Sequence, residues 1–203
     1  MLNRWQKVNA IVIFLFLILG TSCTRQRPVF HELAPLPSEG VCRLAVLPFV
    51  NETHYNDGGV IFYRVFNTEL VNLGDFQLIP EGDIREAFRK ELVSPGLQHP
   101  NFEKMRIIGN HLNVQVLVVG NIIEMTEYGT RGVKTPSLTV KLQLIDASTG
   151  HTLWTTYHRR QGEEYRTILH FGFVSTYTRL AERMSREILN RWITEGLIAQ
   201  CSK

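Results

Sequence analysis

Two nearby glutamates, seven histidines and three cysteines are the residues of this 203-residue chain whose chemistry could exceed packing. Glu124 and Glu127 stand in one segment, and a pair of carboxylates flanking a bond is what acid–base hydrolysis of a glycoside requires. On an extended strand, however, residues three apart point to opposite faces. With no second acidic pair in support, they read as solvated strand-end charges. The histidines lack ligand spacing, and His151 and His158, seven apart on a predicted hairpin, also face apart. The chain has no Gly-rich phosphate loop, no nucleophile elbow and no His-Glu-x-x-His helix. Asp57-Gly58-Gly59 could receive an anion at a helix N-terminus, but Asp57 reads more simply as a cap. The expectation is a protein that is not an enzyme, with no metal and no cofactor.

Cys23 carries a more specific signal. Arg4 and Lys7 precede an uninterrupted apolar run from Ala10 to Leu19, and no acidic residue occurs before Glu32. A membrane-spanning helix needs ~20 apolar residues, so this run is too short to span. A basic start, a short apolar block and small residues form a secretory signal, here residues 1–22. The stretch Leu19-Gly20-Thr21-Ser22-Cys23 resembles a bacterial lipoprotein signal, with Gly20 standing where leucine is usual. Ordinary cleavage after Ser22 is the alternative. Acylation of Cys23 would tie the chain to a membrane, each buried methylene adding about 0.8 kcal/mol. Thr24 stands where lipoproteins retained in the inner membrane carry Asp, so that resemblance implies the outer membrane, periplasmic side.

Cys42 and Cys201 flank the remaining chain. In an oxidising envelope two cysteines permit one disulfide, and Cys42–Cys201 is the expected bridge, with two free thiols as the alternative. Loss of residues 1–22 removes two bases and no acids, leaving 20 basic and 19 acidic residues. Near-neutrality argues against nucleic-acid binding, which calls for a strong cationic excess.

These residues must be positioned by one domain. Residues 23–41, with three prolines and no hydrophobic period, read as lipid anchor and flexible tether; residues 42–203 read as the folded unit. Leu44 to Phe49 is a buried strand. A helix follows from Asp57, with stripe Phe62, Phe66, Leu70 and Leu73 and a left-handed stop at Gly74. A short strand spans 76–80, and the next helix places acids in its first turn, where the helix dipole favours them. Another helix runs from Phe102 to Leu112. "VQVLVVGNIIEMTEY" is apolar on both faces and predicts a central strand. Leu138, Val140, Leu142 and Leu144 alternate with polar residues, predicting a half-buried strand, a turn at Asp146–Gly150 and a hairpin partner from Thr152 to Arg159. A long helix is expected from about Arg166 to Glu195, with stripe Tyr177, Leu180, Met184, Ile188 and Trp192. The fold class is α/β, a mixed sheet flanked by helices.

Three stretches together resemble a known family. "RLAVLPFVNET", "LNVQVLVVGNIIEMTEY" and "LTVKLQLIDASTGHTLWTTY", the last with its Asp146-x-x-Thr149-Gly150 turn and Trp154, resemble the lipoproteins related to the curli secretion protein CsgG. Relatives include the TolB N-terminal domain, the penicillin-binding-protein activator lipoproteins and PelC. The resemblance implies an envelope lipoprotein, often oligomeric, without catalysis. The chain has only the short loop Gly129–Pro136 where the curli channel inserts long hairpins, so a self-made pore is not expected.

The function expected is an outer-membrane lipoprotein serving as an oligomeric assembly or secretion accessory. Its partners would be the membrane, through the N-terminal lipid, further copies of itself and an envelope complex. The alternative is a regulator that activates a peptidoglycan synthase. Aromatic side chains anchor protein interfaces, and Tyr157, Phe171 and Phe173 are the candidates. Gly172 between the two phenylalanines costs a helix about 1 kcal/mol, so it marks either a close approach or a break.

Overall fold

The computed structural model describes residues 27–38, 40–74, 76–129, 134–167 and 171–197. The signal segment, Cys23 and Cys201 lie outside them. Seven strands form one mixed sheet: β1 (Val29–Glu32), β2 (Arg43–Val46), β3 (Val50–Asn51), β4 (Gln77–Leu78), β5 (Val116–Tyr128), β6 (Thr135–Asp146) and β7 (Thr152–Gln161). Among the described residues four helices accompany them: α1 (Gly58–Leu73), α2 (Glu81–Lys90), α3 (Phe102–Leu112) and α4 (Tyr177–Thr194). The strand order is β1-β7-β6-β5-β2-β4, with β3 pairing to β5. β4, β2 and β5 run parallel, as crossovers through helices require, while β5, β6, β7 and β1 form an antiparallel meander.

Strand alternation sorts side chains into two cores. Leu44, Val46, Val116, Val118, Leu138, Val140, Leu142 and Leu144 meet α1 and α4, which contribute Phe62, Phe66, Leu70, Leu180, Met184, Ile188 and Trp192. The intervening Ala45, Leu117, Val119 and Ile145 meet α2 and α3 through Ile84, Phe88, Met105, Ile108 and Leu112. The predicted helical stripes are therefore the buried ones, apart from Leu73 and Tyr177, which are only partly buried. α1 ends at Gly74 with φ 73°. Asn101 caps the start of α3, its side chain accepting from the Lys104 N–H at 2.9 Å.

Four expectations are corrected. Within the segment expected as tether, Val29–Glu32 forms an edge strand antiparallel to β7. Phe30 holds it there, packed edge-on against Trp154 at 4.9 Å between ring centroids, with the Arg191 guanidinium over the Phe30 ring, 5.7 Å from its centroid. The last helix starts at Tyr177, eleven residues later than Arg166. In between, the chain makes a 3-10 turn at Gly162–Tyr165 and then closes a loop, with Val174 N–H donating to Gly162 C=O. Gly172 is the reason: its φ is 81°, and a Cβ there would stand 2.4 Å from the Tyr165 carbonyl oxygen. Asp57 does not cap α1 with its side chain. β6 is more buried than its alternation predicts, because Ser137 and Thr139 on the opposite face are covered as well.

The sheet has two distinct ends. The β5–β6 connection after Tyr128, the last residues of β7 and the loop after it share one. The loop after β3 joins them, since β3 runs parallel to β5 in register Val50 to Asn121. The Asp146–Gly150 turn lies at the other, beside Phe102 of α3. No described helix is long and apolar enough to cross a membrane.

Candidate functional site

The helix layer is unequal on the two faces, and this positions every candidate residue. On the α2/α3 face the apolar cluster stops at Val119, Ile145 and Ala147. Beyond it, β6, β7 and β1 present Lys141, Tyr157, Arg159 and Val29 outward, with Tyr157 directly between Lys141 and Val29 in register. Tyr157 is 41% exposed.

Glu124 and Glu127 are separated onto opposite faces, as expected for strand residues, with the core residue Met125 between them. Glu124 accepts hydrogen bonds from the Tyr128 hydroxyl at 2.7 Å, Thr139 at 3.0 Å and Thr126 at 3.2 Å. The Tyr128 bond is the largest influence on its carboxyl. With Thr139, Thr126 and Arg159 it outweighs partial burial and holds the group below its usual range. Such a carboxylate is an acceptor and not a proton donor. Glu127 pairs with Lys134 at 3.5 Å.

The two hairpin histidines also diverge. His151 lies against the Phe102 ring, 4.6 Å between centroids. His158 is buried on the α4 side, its Nε2 2.6 Å from Glu187 Oε2. Beside it Arg160, 3% exposed, donates from Nε and Nη2 to Glu187 at 2.9 and 3.0 Å and from Nη1 to Glu164 at 2.9 Å. Burial pushes the Glu187 carboxyl up, but the bonds from His158 and Arg160 and the Arg160 charge overcome it and bring it down to about 2. The ionised carboxylate can only accept, so Nε2 of His158 carries the hydrogen. The Tyr165 ring lies between two guanidiniums, Arg160 at 5.2 Å and Arg183 at 4.9 Å. A cleft of about 320 Å³, lined by Arg27, Pro28, Arg160, Glu187, Asn190 and Arg191, opens over this cluster at the start of β1. No group of metal-ligating side chains occurs among the described residues.

This cluster was missed in the sequence, though a signal existed. If Trp154 faces inward on β7, strand alternation places Thr156, His158 and Arg160 inward too. Thr156 confirms the register by accepting from the buried Trp192 indole at 2.6 Å.

The proposed interface residues occupy two elements. Tyr157 is on the open sheet face, whereas Phe171 and Phe173 are on the loop between β7 and α4. Phe171 is 70% exposed, and Phe173 is half-buried under the Arg166 guanidinium at 5.1 Å. Neither Phe171 nor Tyr157 is a core residue. Tyr55 and Tyr128 add exposed aromatic surface at the same end of the sheet as Phe171, and Tyr55 packs on Tyr177 at 5.1 Å. Cys42 is disulfide-bonded, and both other cysteines of the chain lie outside the described residues.

No family model matches this chain, and no curated protein matches it. Solved structures do. The chain is similar to the PelC dodecamer of Paraburkholderia phytofirmans, with 18% identity, TM-score 0.54, and coverage of 81% of this chain and 96% of that one. It is similar to lipoprotein GNA1162 of Neisseria meningitidis, with 13% identity, TM-score 0.53, and coverage of 75% and 99%. A third is the hypothetical protein CT253 of Chlamydia trachomatis, with 14% identity, TM-score 0.51, and coverage of 79% and 99%. At these identities the likeness is one of fold: the α/β fold expected from the sequence is shared with these three proteins. The narrower CsgG and TolB label rests on the motifs alone.

Proposed function

We propose that this chain is a non-catalytic lipoprotein of the bacterial outer membrane, anchored through Cys23 on the periplasmic side, that self-associates as an accessory of an envelope assembly or secretion machine. The observation that carries the self-association is the fold shared with PelC, whose solved form is a dodecamer, over nearly all of that chain. The geometry is compatible with it. The sheet has two unlike open edges, β1 with four residues and β4 with two. A contact from one edge to the other would be heterologous, the kind that closes into rings. Exposed Tyr157 supplies an aromatic anchor next to the β1 edge.

Light scattering on the detergent-solubilised mature protein tests the assembly. A closed multimer is expected. A monomer removes self-association and leaves the regulator of a peptidoglycan synthase as the reading to pursue. The anchor is tested separately: Cys23→Ser should release the protein from membranes or leave the precursor uncut. A variant that is processed and stays membrane-bound like the parent would refute the lipoprotein reading.

A further inference from the structure

If Cys23 is acylated, the way β1 is fastened decides which end of the domain meets the membrane. β1 pairs with β7 from Val29 opposite Tyr157 to Glu32 opposite Trp154. Leu33 and Ala34 N–H groups add bonds to the Leu153 carbonyl at 2.7 and 3.1 Å. Going backwards from Val29, the chain runs toward the C-terminal end of β7, and Arg27 and Pro28 line the cleft over Arg160. Four residue steps separate Arg27 from Cys23. At ~3.3 Å per residue the lipidated cysteine stays within about 13 Å of Arg27. A tether this short keeps the start of β1 close to the bilayer.

The end reached by this tether is the one with exposed aromatic residues. Phe171 is 70% exposed, Tyr128 47% and Tyr55 40%, on three different loops or strand ends. Arg27 is exposed at the start of β1, and Lys134 and Arg166, paired with Glu127 and Glu163, lie at this end. Tyrosine rings, each an apolar body with a polar tip, beside an exposed apolar Phe are a composition that settles at the boundary between headgroups and acyl chains. Phe171 next to left-handed Gly172 is at a turn, where a ring can enter that layer without burying regular backbone.

We infer that the sheet end carrying Tyr55, Tyr128 and Phe171 is a lipid-contact surface, seated on the phospholipid headgroup layer of the membrane that holds Cys23. The inference rests on the lipoprotein reading above and adds to it an orientation: Phe171 is at the bilayer, while Phe102 and the Asp146–Gly150 turn are the far end, free for partners.

The test uses the full mature protein in vesicles of phosphatidylethanolamine and phosphatidylglycerol with brominated acyl chains, which quench nearby indoles. Trp154 and Trp192 are buried and give a constant background. Phe171→Trp and Phe102→Trp place a reporter at each end, both at exposed positions. Quenching of the Phe171→Trp reporter about threefold or more above that of Phe102→Trp is expected for a side chain at the interface. Arg27→Glu in the Phe171→Trp background should lower the quenching. Equal quenching at both ends in protein whose Cys23 is shown by mass to be acylated overturns the orientation and leaves the lipoprotein reading intact. Protection of the Phe171→Trp reporter from acrylamide in detergent, in a concentration-dependent way and without vesicles, overturns it in favour of a second copy. Absence of acylation at Cys23 removes both readings.

Discussion

Arg159 and Arg160 are adjacent on β7 and occupy opposite worlds. Arg160 points toward α4, is 3% exposed and bridges Glu187 and Glu164, with His158 sharing the Glu187 carboxylate. Arg159 points to the helix-free half of the other face, is 46% exposed and stands 3.4 Å from Glu124. Both are arginine–glutamate pairs. Their surroundings differ: charges removed from water attract each other strongly but lose a large solvation energy, whereas an exposed pair is screened and contributes about 0–1 kcal/mol. One residue of strand alternation thus separates a structural cluster from a surface decoration.

The largest break in this comparison is Arg160→Met, which takes the guanidinium away from the half-buried Glu187 carboxylate while its His158 hydrogen bond remains. A stability loss of about 3–5 kcal/mol is expected in urea titration, while Arg159→Met should change it by less than about 1 kcal/mol. Equal effects at the two positions would contradict the burial difference. Because the cluster is satisfied as a unit, Arg160→Met combined with Glu187→Leu should lose less than the two single losses added.

Acid titration sharpens the same contrast. The Glu187 carboxyl falls from 4.5 to about 2 in the fold. A depressed folded value contributes stability that is fully present above the unfolded value and is lost as pH drops through the folded one. The contribution is roughly 3 kcal/mol, released between about pH 4.5 and 2. Glu187→Gln should flatten the stability profile in that window. Glu124, also held low, acts in the same sense, and Glu124→Gln should flatten the profile less.

A disulfide between Cys42 and Cys201 would fasten the α4 face further, since Val41 and Leu197 both belong to its core. If Cys23 carries lipid on its sulfur, Cys201 is the one intramolecular partner left for Cys42. Non-reduced peptide mapping should find the two linked, and reduction should lower stability by about 2–4 kcal/mol. Cys42 and Cys201 recovered as separately alkylated peptides would end the pairing. The smallest expected effect belongs to the exposed face. Thr126→Ala removes one of three hydroxyl donors to Glu124 and, at an exposed position, should change stability by no more than about 0.5 kcal/mol.

Periodicity and stop signals made α1, α3 and β5 legible in the chain itself. Phe62, Phe66 and Leu70 repeat at helical spacing, Gly74 supplies the left-handed terminus, and the nearly continuous apolar run of β5 is covered on both faces from Val116 to Gly120, whereas Ile123, Thr126 and Tyr128 beyond it are exposed. The proposed lipidation at Cys23 rests on an equally local pattern, because a processing motif is read from contiguous residues. What local sequence could not decide was everything that depends on a distant partner. Val29–Glu32 has no strand pattern strong enough to stand alone and is ordered by Trp154 and Arg191, far along the chain. The stretch 166–176 reads as the start of the last helix, yet the carbonyl of Tyr165 occupies the space that a side chain at position 172 would need. His158 and Arg160 become a buried cluster only because α4 brings Glu187 over β7. Tyr55, Tyr128 and Phe171 share one end of the molecule solely through strand order and direction, which are set by tertiary packing: strand alternation assigns a side chain to a face, and the assembled sheet alone assigns that face a neighbour.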